Sequence, residues 1–207
     1  MKNNSIQKVF YLFLSIVIFF TLLPDANADT NISGIISSNT TWTLANSPYI
    51  TKGSVLVNKG VTLTIEPGVT VKFNKGHSLQ IDGTLIARGN SSNKITFTSA
   101  QAAPAPGDWG YILFSDSSID ATYDETGNYI SGAILEYAVV EYAGGSSVSD
   151  NGAVRMNNAH PFINYGTMRN NGASSNGSSG INAFNLTGTL KITNNTIGMF
   201  TPPQINF

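Results

Sequence analysis

Four carboxylates, Asp116, Asp120, Asp124 and Glu125, fall within one short segment after Phe114 that is otherwise rich in Ser and Thr. Paired carboxyl groups can protonate a leaving oxygen and activate water at a glycosidic bond, and oxygen-rich loops can hold Ca²⁺. The spacing Asp116-x₃-Asp120-x₃-Asp124 lacks the alternate-position ligands and the glycine of an EF-hand loop. Solvated loop carboxylates are the plainer reading, so no cofactor is expected; Ca²⁺ at Asp116, Asp120 and Asp124 is the one ion the segment would suit. A second set is aromatic. Tyr111 and Trp109, with Glu136 and Glu141 further on, could hold a sugar ring by stacking on its C–H face while the acids take hydroxyls. The competing reading makes Trp109, Tyr137 and Tyr142 packing residues at corners, where a polar tip reaches the backbone. His77 and His160 are the two histidines, and with no cysteine they form no metal-ligand spacing.

The composition narrows the partners. Charged residues make up 11% of the 207-residue chain and the formal net charge is −1, against about 25% charged in an ordinary domain. Eleven basic residues scattered among twelve acidic ones form no patch able to displace counterions from phosphate, which excludes a nucleic-acid partner. The polar surface must come from Asn, Ser, Thr and Gly.

The elements that position the candidates are short strands. Val55-x-Val57, Val61-x-Leu63-x-Ile65, Val69-x-Val71-x-Phe73, Leu79-x-Ile81, Leu85-x-Ala87, Ile95-x-Phe97 and Ile112-x-Phe114 alternate with period two, as half-buried strands require. Turn residues separate them: Asn58-Lys59-Gly60, Glu66-Pro67-Gly68, Asn74-Lys75-Gly76, Asp82-Gly83 and Gly89-Asn90. Alternation puts Ile112 and Phe114 inward and Tyr111, Glu136 and Glu141 outward. Val55/Leu79, Val61/Leu85 and Val71/Ile95 share an offset of 24, which predicts a coil of about two dozen residues per turn. A looser repeat follows, with Phe162-Ile163-Asn164 and Asn170-Asn171 echoed by Leu190-Lys191-Ile192-Thr193 and Asn194-Asn195. Asn suits such corners because it tolerates the left-handed conformation.

Taken together, Val61-Thr62-Leu63-Thr64-Ile65-Glu66-Pro67-Gly68-Val69-Thr70-Val71-Lys72-Phe73, Gly83-Thr84-Leu85-Ile86-Ala87-Arg88-Gly89, Ile95-Thr96-Phe97-Thr98-Ser99 and Gly107-Asp108-Trp109-Gly110-Tyr111-Ile112 resemble the exported bacterial right-handed parallel β-helix repeat proteins of pectin-lyase-like fold. The resemblance spans residues 40–200 and implies an all-β, right-handed parallel β-helix of about seven rungs, each about 4.8 Å from the next. It says little of activity, since that fold carries lyases, hydrolases, epimerases and adhesins. Lyases of this fold use a calcium-binding carboxylate cluster with a basic residue. Asn-Thr-Asp, Asp-Asp, Arg-Ile-Lys and Asp-Pro-His are all missing from residues 29–207.

The first residues read as an address. Lys2 and Lys8 flank the start of an apolar run from Val9 to Leu23, followed by Ala26-Asn27-Ala28, which predicts a signal peptide over 1–28 cleaved before Asp29. The run is shorter than the roughly twenty residues that span a bilayer, and no second stretch reaches that length. A capping turn is expected over 29–52 and the β-helix over 53–207, with Pro202 and Pro203 blunting the last rung unless the coil continues in a longer protein. The expected function is an exported, non-catalytic module for carbohydrate binding, adhesion or envelope structure, at a polysaccharide or cell-surface glycan. The alternative is a polysaccharide lyase or glycoside hydrolase acting on an extracellular polysaccharide. Oligomeric state is not encoded in any feature of the chain.

Overall fold

The computed structural model describes residues 29–172 and 179–199. The expected signal peptide and the Pro202-Pro203 end lie outside those residues. The chain winds as a parallel β-helix with three faces, visited in the order A, B, C on each turn. Parallel crossovers of this kind are right-handed in about 98% of cases. Face A stacks the end of Tyr49–Val57, then Leu79–Ile81, Ile112–Phe114, Gly152–Asn157 and Ser179–Phe184. Face B stacks Thr40–Trp42, Thr62–Ile65, Thr84–Arg88, Ile134–Glu136, Phe162–Asn164 and Ile192–Thr193. Face C stacks the start of Tyr49–Val57, then Thr70–Phe73, Ile95–Ser99, Ala138–Glu141, Thr167–Asn171 and Thr196–Met199. The strand Thr30–Ile36 pairs with both ends of Tyr49–Val57, across a register shift between Ile32 and Gly34, and adds a level to faces A and C.

Inward side chains form columns, because parallel in-register strands place like positions one above another. Trp42, Ile65, Ala87, Leu135 and Ile163 are partners in register on face B. Val71, Phe97, Val140 and Met168 do the same on face C, and Val57, Ile81, Phe114 and Met156 on face A. All are buried. Each large member contributes about 1.5–3 kcal/mol by leaving water, and interstrand ladders pair most of the backbone without ionic groups. That accounts for the low charge.

The common offset of 24 survives on one face only. Val55 stacks on Leu79, but Leu85 stacks on Leu63, 22 residues earlier, and Phe97 on Val71, 26 earlier. The corner at Asp82-Gly83 is two residues shorter than its predecessor at 58–61, and the corner after Arg88 is longer than the one after Ile65. Both changes are even, so inward and outward positions keep their parity and the predicted core holds while the stacking partners shift. Later turns are larger: Leu79 to Ile112 and Ile112 to Val154 enclose the excursions 100–111, 115–133 and 142–151.

On the last three turns single left-handed residues turn the chain from face B to face C. Asn194 is one of them (φ 55°), as the composition predicts, but Tyr137 (φ 47°) and Tyr165 (φ 50°) hold the same corner on earlier turns. Their rings stack, with centres 4.7 Å apart and planes at 9°, which offsets the cost of placing a bulky residue in that region.

Candidate functional site

The four carboxylates of the 115–133 excursion do not converge. Asp116 accepts a hydrogen bond from Asn158 Nδ2 at 2.6 Å. Asp120 accepts one from the His160 backbone N–H at 2.8 Å, and its other oxygen lies 3.1 Å from His160 Nδ1. Asp124 opens the turn of a small antiparallel hairpin, Thr122–Tyr123 with Tyr129–Ser131. Its carboxylate accepts bonds from the Thr126 hydroxyl and from the backbone and side chain of Asn128, which together hold its pKa down at about 2. Glu125 is exposed at the hairpin tip. Among the described residues no three Asp, Glu, His or Cys side chains are grouped to hold a metal.

Trp109 leaves the set of expected sugar contacts and takes the packing role that was its other reading. It is 0% exposed, its ring stacks on Phe73 with centres 4.1 Å apart, and its Nε1 donates to the Glu141 carbonyl at 2.8 Å. A ring sealed on this corner has no free face for a ligand. Glu141 points outward as alternation requires but is 9% exposed, occupied by the Thr98 hydroxyl and by Arg169 Nε at 2.8 Å. It buttresses face C and is likewise withdrawn from the ligand set.

Tyr111 lines an open groove of about 360 Å³ on face A, with Ser54, Ser78, Gln80 and Ser146 as its polar lining and Ile35 and Leu56 as its apolar one. The strand registers put Ile35, Leu56, Gln80 and Leu113 in one outward column, so the groove crosses several rungs. Gln80 donates through Nε2 to Asp82, which leaves its Oε1 to accept. Gly110 lets the hydroxyls of Ser78 and Ser146 close in on the backbone here; a Cβ would push both aside. Tyr111 itself is half-buried, with the Arg155 guanidinium 4.5 Å from its ring centre.

Glu136 lies in a second groove, of about 510 Å³, between the hairpin and face B. Its two oxygens accept from Arg88 Nε at 3.0 Å and from Asn164 Nδ2 at 2.9 Å. Asn164 in turn accepts from Thr193 and Asn194, so outward polar residues of four turns form one ladder. The hairpin leans on this face through rings. Tyr129 stacks on Phe162 and Tyr123 meets it edge-on, while Lys191 lies over Tyr123 and donates to the Gly127 carbonyl at 2.5 Å. Burial pushes the phenol pKa values of Tyr123 and Tyr129 up.

A model described as a pectate-lyase like beta helix domain matches residues 34–196. The chain belongs to that family. A shorter stretch of 66 residues is 38% identical to the Protein bark beetle of Drosophila melanogaster; it covers 32% of this chain and 2% of that protein. No solved structure matches. Membership of the pectate-lyase-like β-helix family establishes the fold and fits a carbohydrate-related module. The chemistry must be argued from the grooves.

Sequence reasoning missed Arg88, Lys191 and Arg155 as members of these surfaces. Arg88 and Glu136 are 48 residues apart, and the hairpin excursion between them breaks the repeat, so no constant offset relates the pair. The signal that was available is positional: Arg88, Glu136 and Asn164 each close a face-B strand.

Proposed function

We propose that this β-helix is a non-catalytic glycan-binding module, exported to the cell envelope or beyond, that takes an uncharged sugar chain across the face-A groove. The observation that carries the reading is the lining at Tyr111. Hydroxyls of Ser54, Ser78 and Ser146 and the amide of Gln80 adjoin Tyr111, Leu56 and Ile35, with no carboxylate or cation among them. Apolar and aromatic faces suit the C–H faces of a pyranose, and fixed hydroxyl and amide groups suit its hydroxyls. Each carboxylate that would serve a lyase or hydrolase is spent on a local partner or exposed at the hairpin tip. Export is supported by the apolar run and Ala26-Asn27-Ala28.

A neutral-glycan array on the chain 29–207 tests it. Binding that falls at least tenfold in Tyr111→Ala, with no new reducing or unsaturated ends from any polysaccharide, is the expected result. Sugar release that disappears in Asp120→Asn would establish the enzymatic alternative instead, and no binding to any neutral glycan overturns the proposal.

A further inference from the structure

The groove between the hairpin and face B differs from the Tyr111 groove in one respect that points to a different ligand: it is charged. Arg88 and Lys191 line it against a single carboxylate, Glu136. That carboxylate is committed, since both oxygens accept hydrogen bonds and its side chain is 13% exposed. Arg88 pairs through Nε, so among the described residues its two terminal nitrogens carry no hydrogen bond, and its side chain is 51% exposed. The fork of a guanidinium matches the two oxygens of a carboxylate or sulfate. Lys191 spends one proton on the Gly127 carbonyl, and an ammonium has three to donate. The same groove is lined by Tyr165, which is 44% exposed, while the stacked ring of Tyr137 backs one of its faces and fixes its orientation. Arg88 also lies over the ring of Tyr129, and Lys191 over those of Tyr123 and Phe162, contacts that take up no hydrogen bond. A fixed, exposed ring beside cations with N–H groups left to donate fits a sugar that bears a negative group.

We infer that this groove is a second glycan site, separate from the one at Tyr111, and that it binds sugars carrying an anionic substituent, a carboxylate or a sulfate ester. Arg88 and Lys191 hold the anion and Tyr165 the ring. The chain thereby presents two sites of different charge, on faces A and B.

Binding to hyaluronan, dextran sulfate and unmodified dextran, measured by calorimetry at low and high salt, tests this. One or both anionic polymers bind, more weakly as salt rises, and which of them binds identifies the group. Affinity falls at least tenfold in Arg88→Gln and in Tyr165→Ala, whose thermal melts establish folding, and is unchanged in Tyr111→Ala. Lys59→Gln, at an exposed turn on the coil, leaves it unchanged; an equal loss there would mean unspecific charge attraction and overturn the inference. So would binding of neither anionic polymer, or a loss confined to Tyr111→Ala. Failure of the neutral-glycan array leaves these outcomes independent, because the two sites share no residue.

Discussion

The guanidinium carbon of Arg155 lies 4.5 Å from the centre of the Tyr111 ring and 5.1 Å from that of Phe184. Arg155 is 7% exposed. Its Nε donates to the Asp150 carbonyl at 2.9 Å and its Nη2 to the Ser149 carbonyl at 3.0 Å. One buried cation thus fastens the 142–151 excursion to face A and backs the aromatic ring that lines the groove. Burying a charge is costly unless its donors are satisfied, and here backbone carbonyls and ring faces share that task.

Replacing Arg155 with Met removes two charge-assisted hydrogen bonds and the ring contacts. The expected loss in unfolding free energy is about 2–4 kcal/mol, read by chemical denaturation. Arg155→Lys keeps the charge but not the fork and recovers less than half of it. Glycan binding at Tyr111 weakens in both variants.

Trp109 and Tyr165 separate core from surface. Trp109→Ala opens a cavity against Phe73 and leaves the Glu141 carbonyl without its donor, so thermal unfolding should report a loss of about 3–5 kcal/mol. Tyr165→Ala, at an exposed corner, loses chiefly its stack on Tyr137, about 0.5–1.5 kcal/mol.

Lys191 latches the hairpin. An isolated two-stranded hairpin is marginal in water, and this one relies on Lys191 at Gly127 and Tyr123 and on Phe162 beneath its rings. In Lys191→Ala, limited proteolysis should cut between Thr122 and Ser131 several-fold faster. The thermal melt of the coil should stay nearly unchanged.

Asp124 gives the hairpin turn an acid limit. The Thr126 and Asn128 hydrogen bonds depress its folded pKa to about 2, below the roughly 3.9 of an unfolded Asp. A depressed pKa contributes stability above the unfolded value, and that contribution is lost as pH falls through the folded one. The amide resonances of Thr126 and Asn128 should therefore titrate with a midpoint near pH 2. A midpoint near 4 would mean that the turn does not hold the carboxylate.

The alternation of Val, Leu, Ile and Phe was enough to read the strands from Val55 to Phe114, their inward residues and the coil, because period-two patterning is local. It fades in later strands such as Gly152–Asn157 and Phe162–Asn164, where successive residues are buried. The alternation was not enough to read the stacking partners of Leu85 and Phe97. Those depend on corner lengths, which change by even numbers and leave the pattern intact. Tyr111 and Glu136 were legible as outward groups. Trp109 was legible as a corner packing residue as well as a sugar contact, and the choice between the two depends on Phe73 and on the Glu141 carbonyl 32 residues away.

The sequence by itself determined a low-charge, all-β coil and nominated outward aromatics and acids. Only the tertiary structure decided which of them share a surface. It tied Asp116, Asp120 and Asp124 to separate partners, and brought Arg88, Glu136, Tyr165 and Lys191 into one groove from four different segments. The physical reason is the same in both cases. Which residues lie side by side across rungs is set by the lengths of the excursions between strands, and excursion length leaves no periodic trace in the chain.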